Sequence, residues 1–333
     1  LLVAGTEFGV FFTVDKGKEW IQLKSGIPTI AARDLAIQER ENDLIVASFG
    51  RGFYVLDNYA PLREITPELL KKKSHIFKIK DGLMFVPSNP LGLRGKSAQG
   101  ESYYTAPNPE FGVTFTYYVK DKLKSLKEIR QAKEKELAKA GKDVFYPTME
   151  EILTEDNEEK PYLLFIIKNE KGESVRKIKT GPKSGINRIS WNFRLTTTSP
   201  IKLSKGKTGR YSMADEGPLA LPGTYTVELY ESVNGKINLL HEAVRFTIKP
   251  LNNQTLLAKD KAALLEFQNQ LAELRRRVSG ASSILSETNN KIKYLKSAIQ
   301  HYPSVPLELF AETKSLEGEM LSIQLKLHGN SSR

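Results

Sequence analysis

Residues able to do chemistry are few, and the clearest group lies near the start of a chain of 333 residues. Thr13-Val-Asp-Lys-Gly-Lys-Glu-Trp20 has the form Ser/Thr-x-Asp-x-Gly-x-x-Trp. A carboxylate close to an indole has the ingredients of a sugar site, with Asp15 as the acid and Trp20 as the platform for a ring. The competing reading is structural. Asp15-Lys-Gly17 is a turn, and Gly17 is free to take a left-handed conformation. Arg51, between Gly50 and Gly52, is the other polar residue of interest in this region. A substrate role competes there with pairing to a neighbouring carboxylate or to carbonyls. In both places the structural role is the expectation.

Other kinds of site are disfavoured. With no cysteine, disulfides, thiolate metal sites and cysteine nucleophiles are excluded. The four histidines, His75, His241, His301 and His328, are far apart in sequence and have no zinc-ligand spacing. No Gly-x-Ser-x-Gly marks a nucleophile elbow. Gly92, Gly95 and Gly100 sit in a basic loop from Pro87 to Pro109, but no Gly-Lys-Ser/Thr follows to open a phosphate-binding helix. The acidic run Glu155-Asp-Asn-Glu-Glu159 lacks the ligand spacing of a calcium loop and reads as an exposed loop. Paired carboxylates for glycoside hydrolysis remain open, since Asp and Glu are plentiful. No cofactor is expected. The formal charge of +11 is spread over lysines mixed with glutamates, with no nucleic-acid motif, so it reads as a lysine-rich surface. No apolar run approaches the ~18 residues that would span a bilayer.

These residues need strands to hold them. Leu1–Thr6, Gly9–Val14, Trp20–Leu23 and Asp34–Ile37 read as four strands, and Asp43–Ser48 and Gly52–Asp57 as two more. Leu2-Val-Ala-Gly-Thr-Glu-Phe-Gly-Val-Phe aligns with Ile45-Val-Ala-Ser-Phe-Gly-Arg-Gly-Phe-Tyr at an offset of 43 residues. That matches the ~40–45-residue period of a propeller blade.

The Thr13–Trp20 pattern is an Asp-box. With Gly50-Arg-Gly-Phe-Tyr-Val-Leu-Asp57 and Pro61-Leu-Arg63, it resembles the last blade of sortilin-type, Asp-box-repeat propeller proteins. These are exported bacterial proteins often labelled glycosyl-hydrolase-like. The resemblance implies that Thr13, Asp15, Gly17 and Trp20 mark a blade, with Asp15 capping its hairpin and Trp20 packed beneath. It implies that Gly50, Arg51, Gly52 and Asp57 close the propeller. It further implies that a sandwich domain and helices come next, and that the remaining blades are partners of residues 1–63.

Residues 64–250 carry strand candidates at Ile76–Ile79, Gly112–Val119, Tyr162–Ile167, Val175–Ile178, Ile186–Phe193, Gly223–Tyr230 and Val244–Ile248. Short strands in this number with turns between them suggest an immunoglobulin-like sandwich. The segments around Trp191 and Leu221-Pro-Gly-Thr-Tyr-Thr-Val227 resemble bacterial immunoglobulin-like domains. Trp191 alternates with Ile189 and Phe193 and is a core residue. A charged amphipathic helix is expected as an insert at about 120–147, with Leu123, Leu126, Ile129 and Leu137 on one face. From 251 to 333 the pattern is a helical hairpin. Leu264, Leu271, Val278, Leu285, Ile292 and Ile299 recur by sevens through Ser279-Gly280, so the first helix is continuous, and Tyr302-Pro303 ends it. Leu309, Leu316 and Ile323, with Met320 and Leu327, form the second helix. The longer arm needs a further surface to cover its seam.

The expected fold is mainly β with α: incomplete propeller blades at 1–63, a sandwich at 64–250 and a long-helix hairpin at 251–333. The expected function is a non-catalytic binding or scaffolding region of an exported propeller protein that takes a protein, peptide or glycan ligand. The alternatives are an accessory region of a propeller-type glycoside hydrolase and a structural subunit of a cell-envelope assembly. Partner binding through the long helix or the 120–147 helix is a further expectation. Nucleic acid and a membrane span are not expected.

Overall fold

Alternating apolar residues and tight turns build two small antiparallel sheets at the start of the chain. β1 (Leu2–Thr6), β2 (Gly9–Thr13) and the two-residue β3 (Ile21–Gln22) form the first. β4 (Ala32–Gln38), β5 (Asp43–Ser48) and β6 (Phe53–Leu56) form the second. The sheets stack on a shared cluster of Val10, Leu44, Val46 and Tyr59, with Val3, Leu35, Tyr54 and Leu56 packed against it. Gly5 permits the closest approach, since a β-carbon there would stand 3.0 Å from that of Ala32. Side chains alternate across a strand, so the pairs Ile45–Val55 and Ala47–Phe53 lie on the opposite face of the second sheet. That face is open: Phe53 is 76% and Val55 54% exposed.

This computed structural model describes residues 1–87, 106–197, 199, 216–253, 259–306 and 308–329. The chain divides into two compact units, Leu1–Phe193 with Pro222–Leu257, and Arg194–Leu221 with Ala258–Arg333.

The rest of the first unit is mostly sheet. After α1 (Ala60–Glu64) and α2 (Pro67–Lys71) come β7 (Ser74–Ile76), β8 (Gly82–Met84) and β9 (Val113–Val119). Two helices follow, α3 (Leu126–Lys139) and α4 (Met149–Asn157). Then come β10 (Tyr162–Lys168), β11 (Ser174–Thr180), β12 (Gly185–Trp191), β13 (Gly223–Val233) and β14 (Lys236–Pro250). One sheet has the order β11-β10-β13-β14-β8 and the other β12-β9-β7. The strand expected at Ile76–Ile79 starts at Ser74 and stops at Ile76, and β8 was not anticipated. β14 is far longer than the expected Val244–Ile248. It forms a hairpin with β13 through Asn234-Gly235, both at positive φ (48° and 75°), the pair that a two-residue hairpin turn of this kind favours.

The two sheets bury aromatic rings between them. Phe115 stacks on Phe165 at 6.3 Å, Tyr117 meets Phe165 edge-on at 5.0 Å, and Trp191 meets Tyr225 at 5.5 Å. Trp191 and Phe193 are fully buried, as the alternation around them indicates. The backbone passes so close at Gly112 (φ 134°) that a β-carbon would lie 2.0 Å from the Trp191 carbonyl oxygen. No side chain fits there. Where β7 meets β14, the Ser74 hydroxyl donates to the Leu240 carbonyl at 2.7 Å, and Lys73 pairs with the buried Glu231 at 2.7 Å. The sheet is curled into a half-barrel.

α3 and α4 each begin with a capping box, Ser125 with Glu128 and Thr148 with Glu151. The acidic run expected to be a plain loop is partly helical, and α4 ends at Asn157. Arg130 reaches both oxygens of Glu155, at 2.6 and 2.9 Å, and ties α3 to α4. The Leu126 N–H donates to Glu158 at 2.8 Å. Three carboxylates of the run, Glu155, Glu158 and Glu159, thus have protein partners, the last of them Lys179 at 3.7 Å.

In the second unit, α5 (Lys261–His301) is continuous through Ser279-Gly280, as its unbroken sevenfold pattern requires. The Asp260 carboxylate caps it by accepting from the N–H groups of Ala262 and Ala263. α6 (Glu308–His328) runs antiparallel along its C-terminal half, with Ser282 opposite His328 and Lys296 paired to Glu317 at 2.8 Å. Leu285 and Ile292 are buried there, together with Thr313 of α6. Along α6, Met320 and Leu327 of the expected second series are half-buried in line with Thr313, and Leu309 of the first series is half-buried, whereas its Leu316 and Ile323 are exposed. The buried Thr313 hydroxyl is satisfied by the Leu309 carbonyl at 2.7 Å. Leu264, Phe267, Leu271 and Leu274 on the other half of α5 are exposed. Among the remaining residues of this unit, Arg194 bridges to Leu219 and its guanidinium donates to the Gly217 carbonyl.

Candidate functional site

The Asp15 turn is built from the inside. Thr13, fully buried at the end of β2, donates its hydroxyl proton to Asp15 at 2.6 Å and accepts from the Gly17 N–H at 3.0 Å. Asp15 then accepts from the backbone N–H groups of Lys18 and Glu19 at 3.0 and 3.1 Å. The Thr13 hydroxyl, followed by these N–H groups, holds the Asp15 carboxyl below its ordinary range. A carboxylate stabilised in this way makes a poor general acid at neutral pH. Trp20 is 45% exposed and directly precedes β3, the edge strand of its sheet. No described cavity joins it to Asp15.

Gly50 and Gly52, at φ 74° and 70°, turn the chain between β5 and β6. The Ser48 N–H and hydroxyl both donate to the Gly52 carbonyl, at 3.0 and 2.7 Å. Arg51 is exposed on this turn and makes no ion pair among the described residues. Asp57 lies elsewhere, on the wall of a cavity. Gly92, Gly95 and Gly100 fall outside the described residues.

That cavity has a volume of about 640 Å³. Its floor is the outward face of β9 and β12: Thr114, Thr116, Arg188 and Ser190. Thr114 and Ser190 share a hydrogen bond of 2.9 Å, and Thr114 pairs with Ser190 in the ladder. The loops around β5 and β6 supply Glu41, Asp43, Asp57 and Asn58 to one wall. Arg188 fastens that wall, donating to the carbonyls of Asp57 at 2.7 Å and Asn58 at 3.0 Å. Asp43 accepts from the Asn58 N–H at 2.8 Å, holding Asn58 in its left-handed conformation (φ 46°). Lys80, Asp81, Leu83 and Phe85 form a second wall, and Glu110 stands at the rim.

The charged groups of the cavity differ in what they hold. Glu41 pairs with Lys80, and the Lys80 ammonium keeps the Glu41 carboxyl below its usual range against the opposing effect of burial. Asp81 pairs with Lys249 at 2.5 Å. The carboxylates of Asp57 and Glu110 have no hydrogen bond or ion pair among the described residues. No cluster of three or more His, Cys, Asp or Glu in metal-holding geometry exists among the described residues.

Sequence reasoning missed this cavity because its lining is gathered from residues 41 to 190. It also separated two histidines that the fold joins. His75 of β7 and His241 of β14 meet edge-on at 5.2 Å, with Glu64 3.7 Å from His75. No linear spacing signals such a pair. Among the described residues, no helix is long and apolar enough to cross a membrane.

No family model and no curated protein matches this chain. A solved structure with some similarity is the extracellular domain of a hybrid two-component system from B. thetaiotaomicron, at 8% identity and a TM-score of 0.18. The match covers 74% of this chain and 24% of that one, so the chain spans about a quarter of the length of that structure.

Proposed function

We propose that residues 1–63 are blades of a β-propeller of the sortilin-type, Asp-box-repeat group, and that the chain is a non-catalytic binding and scaffolding region of an exported bacterial protein. The open face of the β4-β5-β6 sheet carries this reading. Ala36, Ile45, Ala47, Phe53 and Val55 share that face through their ladder pairings, and such an apolar sheet surface calls for another sheet against it. The 43-residue repeat supports it too, because it places β1 on β5 and β2 on β6 while the two sheets stack face to face, as neighbouring blades do. On this reading residues 64–250 are an immunoglobulin-like spacer and residues 251–333 a helical hairpin.

The commitment of the Asp15 carboxylate to its own turn favours binding over catalysis. The test is an assay of the complete gene product on a panel of glycans. No turnover is expected. Turnover that disappears when carboxylates on the propeller axis are replaced would overturn the non-catalytic reading. The exposed apolar residues Leu264, Phe267, Leu271 and Leu274 favour a second reading, in which α5 docks into a cell-envelope assembly.

A further inference from the structure

The cavity over β9 and β12 is a locally acidic place in a chain of net charge +11. Five carboxylates, from Glu41, Asp43, Asp57, Asp81 and Glu110, line it against two cationic side chains, Lys80 and Arg188. Two of these carboxylates, Asp57 and Glu110, are unpaired among the described residues. A third group points to a ligand independently of charge. Thr116 is only 5% exposed and lines the cavity, yet its hydroxyl has no hydrogen-bond partner among the described residues. Its oxygen is not sealed from the cavity, so an occupant there can bond it.

The shape of the site narrows the occupant. The carboxylates come from separate walls, and no three of them converge in metal-holding geometry. A ligand with spaced positive charges matches that arrangement better than a single ion does. Leu83 and Phe85 give one wall an apolar surface on which methylene groups can lie, in the way lysine and arginine stems cover apolar surface. A volume of about 640 Å³ is within the ~300–1,000 Å³ usual for small-ligand sites.

We propose that this cavity binds an extended organic cation, an alkylammonium or guanidinium chain whose charges meet Asp57 and Glu110 and whose polar group satisfies Thr116. A free polyamine and the lysine or arginine side chains of a peptide share this chemistry. The inference stands apart from the propeller reading, since every lining residue belongs to this chain.

Isothermal titration calorimetry on the 333-residue chain tests it, with spermidine and trilysine as probes and calcium chloride and cellotriose as controls. Saturable one-to-one binding of at least one cationic probe is expected, and whichever binds more tightly names the source. Affinity should fall by about tenfold or more in Asp57→Asn/Glu110→Gln, with the melting temperature unchanged because neither carboxylate holds a structural bond. Thr116→Val keeps both carboxylates and should still weaken binding, which a diffuse surface attraction would not show. Absence of binding by both cations would overturn the proposal. So would unchanged affinity in both variants, or heat from calcium or cellotriose alone.

Discussion

Thr13 shows how much one hydroxyl can organise. Buried at the end of β2, it gives a proton to Asp15 and takes one from the Gly17 amide, so the turn closes around it. Thr13→Val keeps the shape and removes these bonds, leaving the half-buried Gly17 amide without its partner. It should cost about 1–3 kcal/mol, read as a lower melting temperature with the fold retained. His75 makes the chain sensitive to pH. Burial, then His241 and Lys72 nearby, oppose its protonation, while Glu64 works in the other direction; the balance holds it below the ordinary 6.5. The unfolded imidazole binds its proton at that ordinary value, so below about pH 6.5 the unfolded chain holds more protons and stability falls as pH drops. His75→Gln should flatten that part of a plot of melting temperature against pH. The turn around Thr13 could be read directly, because its partners lie within seven residues of one another, Thr13 to Glu19. The histidine pair could not, because 75 and 241 meet only once β7 has docked beside β14.

At the scale of elements, periodicity was the reliable signal and long-range pairing the unreliable one. The sevenfold series in α5 survives Gly280, and the helix runs 41 residues, about 60 Å at ~1.5 Å per residue. A β-carbon at Gly280 would meet nothing within 4 Å, so Gly280→Ala should raise helix stability by about 0.5–1 kcal/mol, seen as a later loss of ellipticity on heating. In α6 the same kind of pattern left two series in competition. Leu316 and Ile323 make as good a series as Thr313, Met320 and Leu327, and only the packing against α5 decides between them. The β13-β14 hairpin was carried by a plain local cue, Asn234-Gly235, but the exposed, mixed residues from Lys236 to Glu242 hid the strand that follows. β8 is three residues long and pairs in parallel with β14 across a wide sequence gap, which no local pattern announces.

At the scale of the whole molecule, the description is mixed: mostly sheets, a curled half-barrel and long C-terminal helices. A cavity floor of hydroxyls and a guanidinium, walled by loops more than a hundred residues away, is a product of the tertiary fold. Its members were ordinary surface polar residues when read in sequence, and Asp57 alone had been singled out, for a different reason. The open apolar face of β4-β5-β6 is the feature on which the propeller reading rests. Phe53→Asp should change the stability of the isolated 333-residue chain by no more than about 0.5 kcal/mol, read as a nearly unchanged melting temperature, since the ring is already largely in solvent. The decisive measurement is an experimental structure of the complete gene product. The propeller reading predicts Phe53 and Val55 buried beneath a further β-sheet, whereas the same two side chains facing solvent there would contradict it.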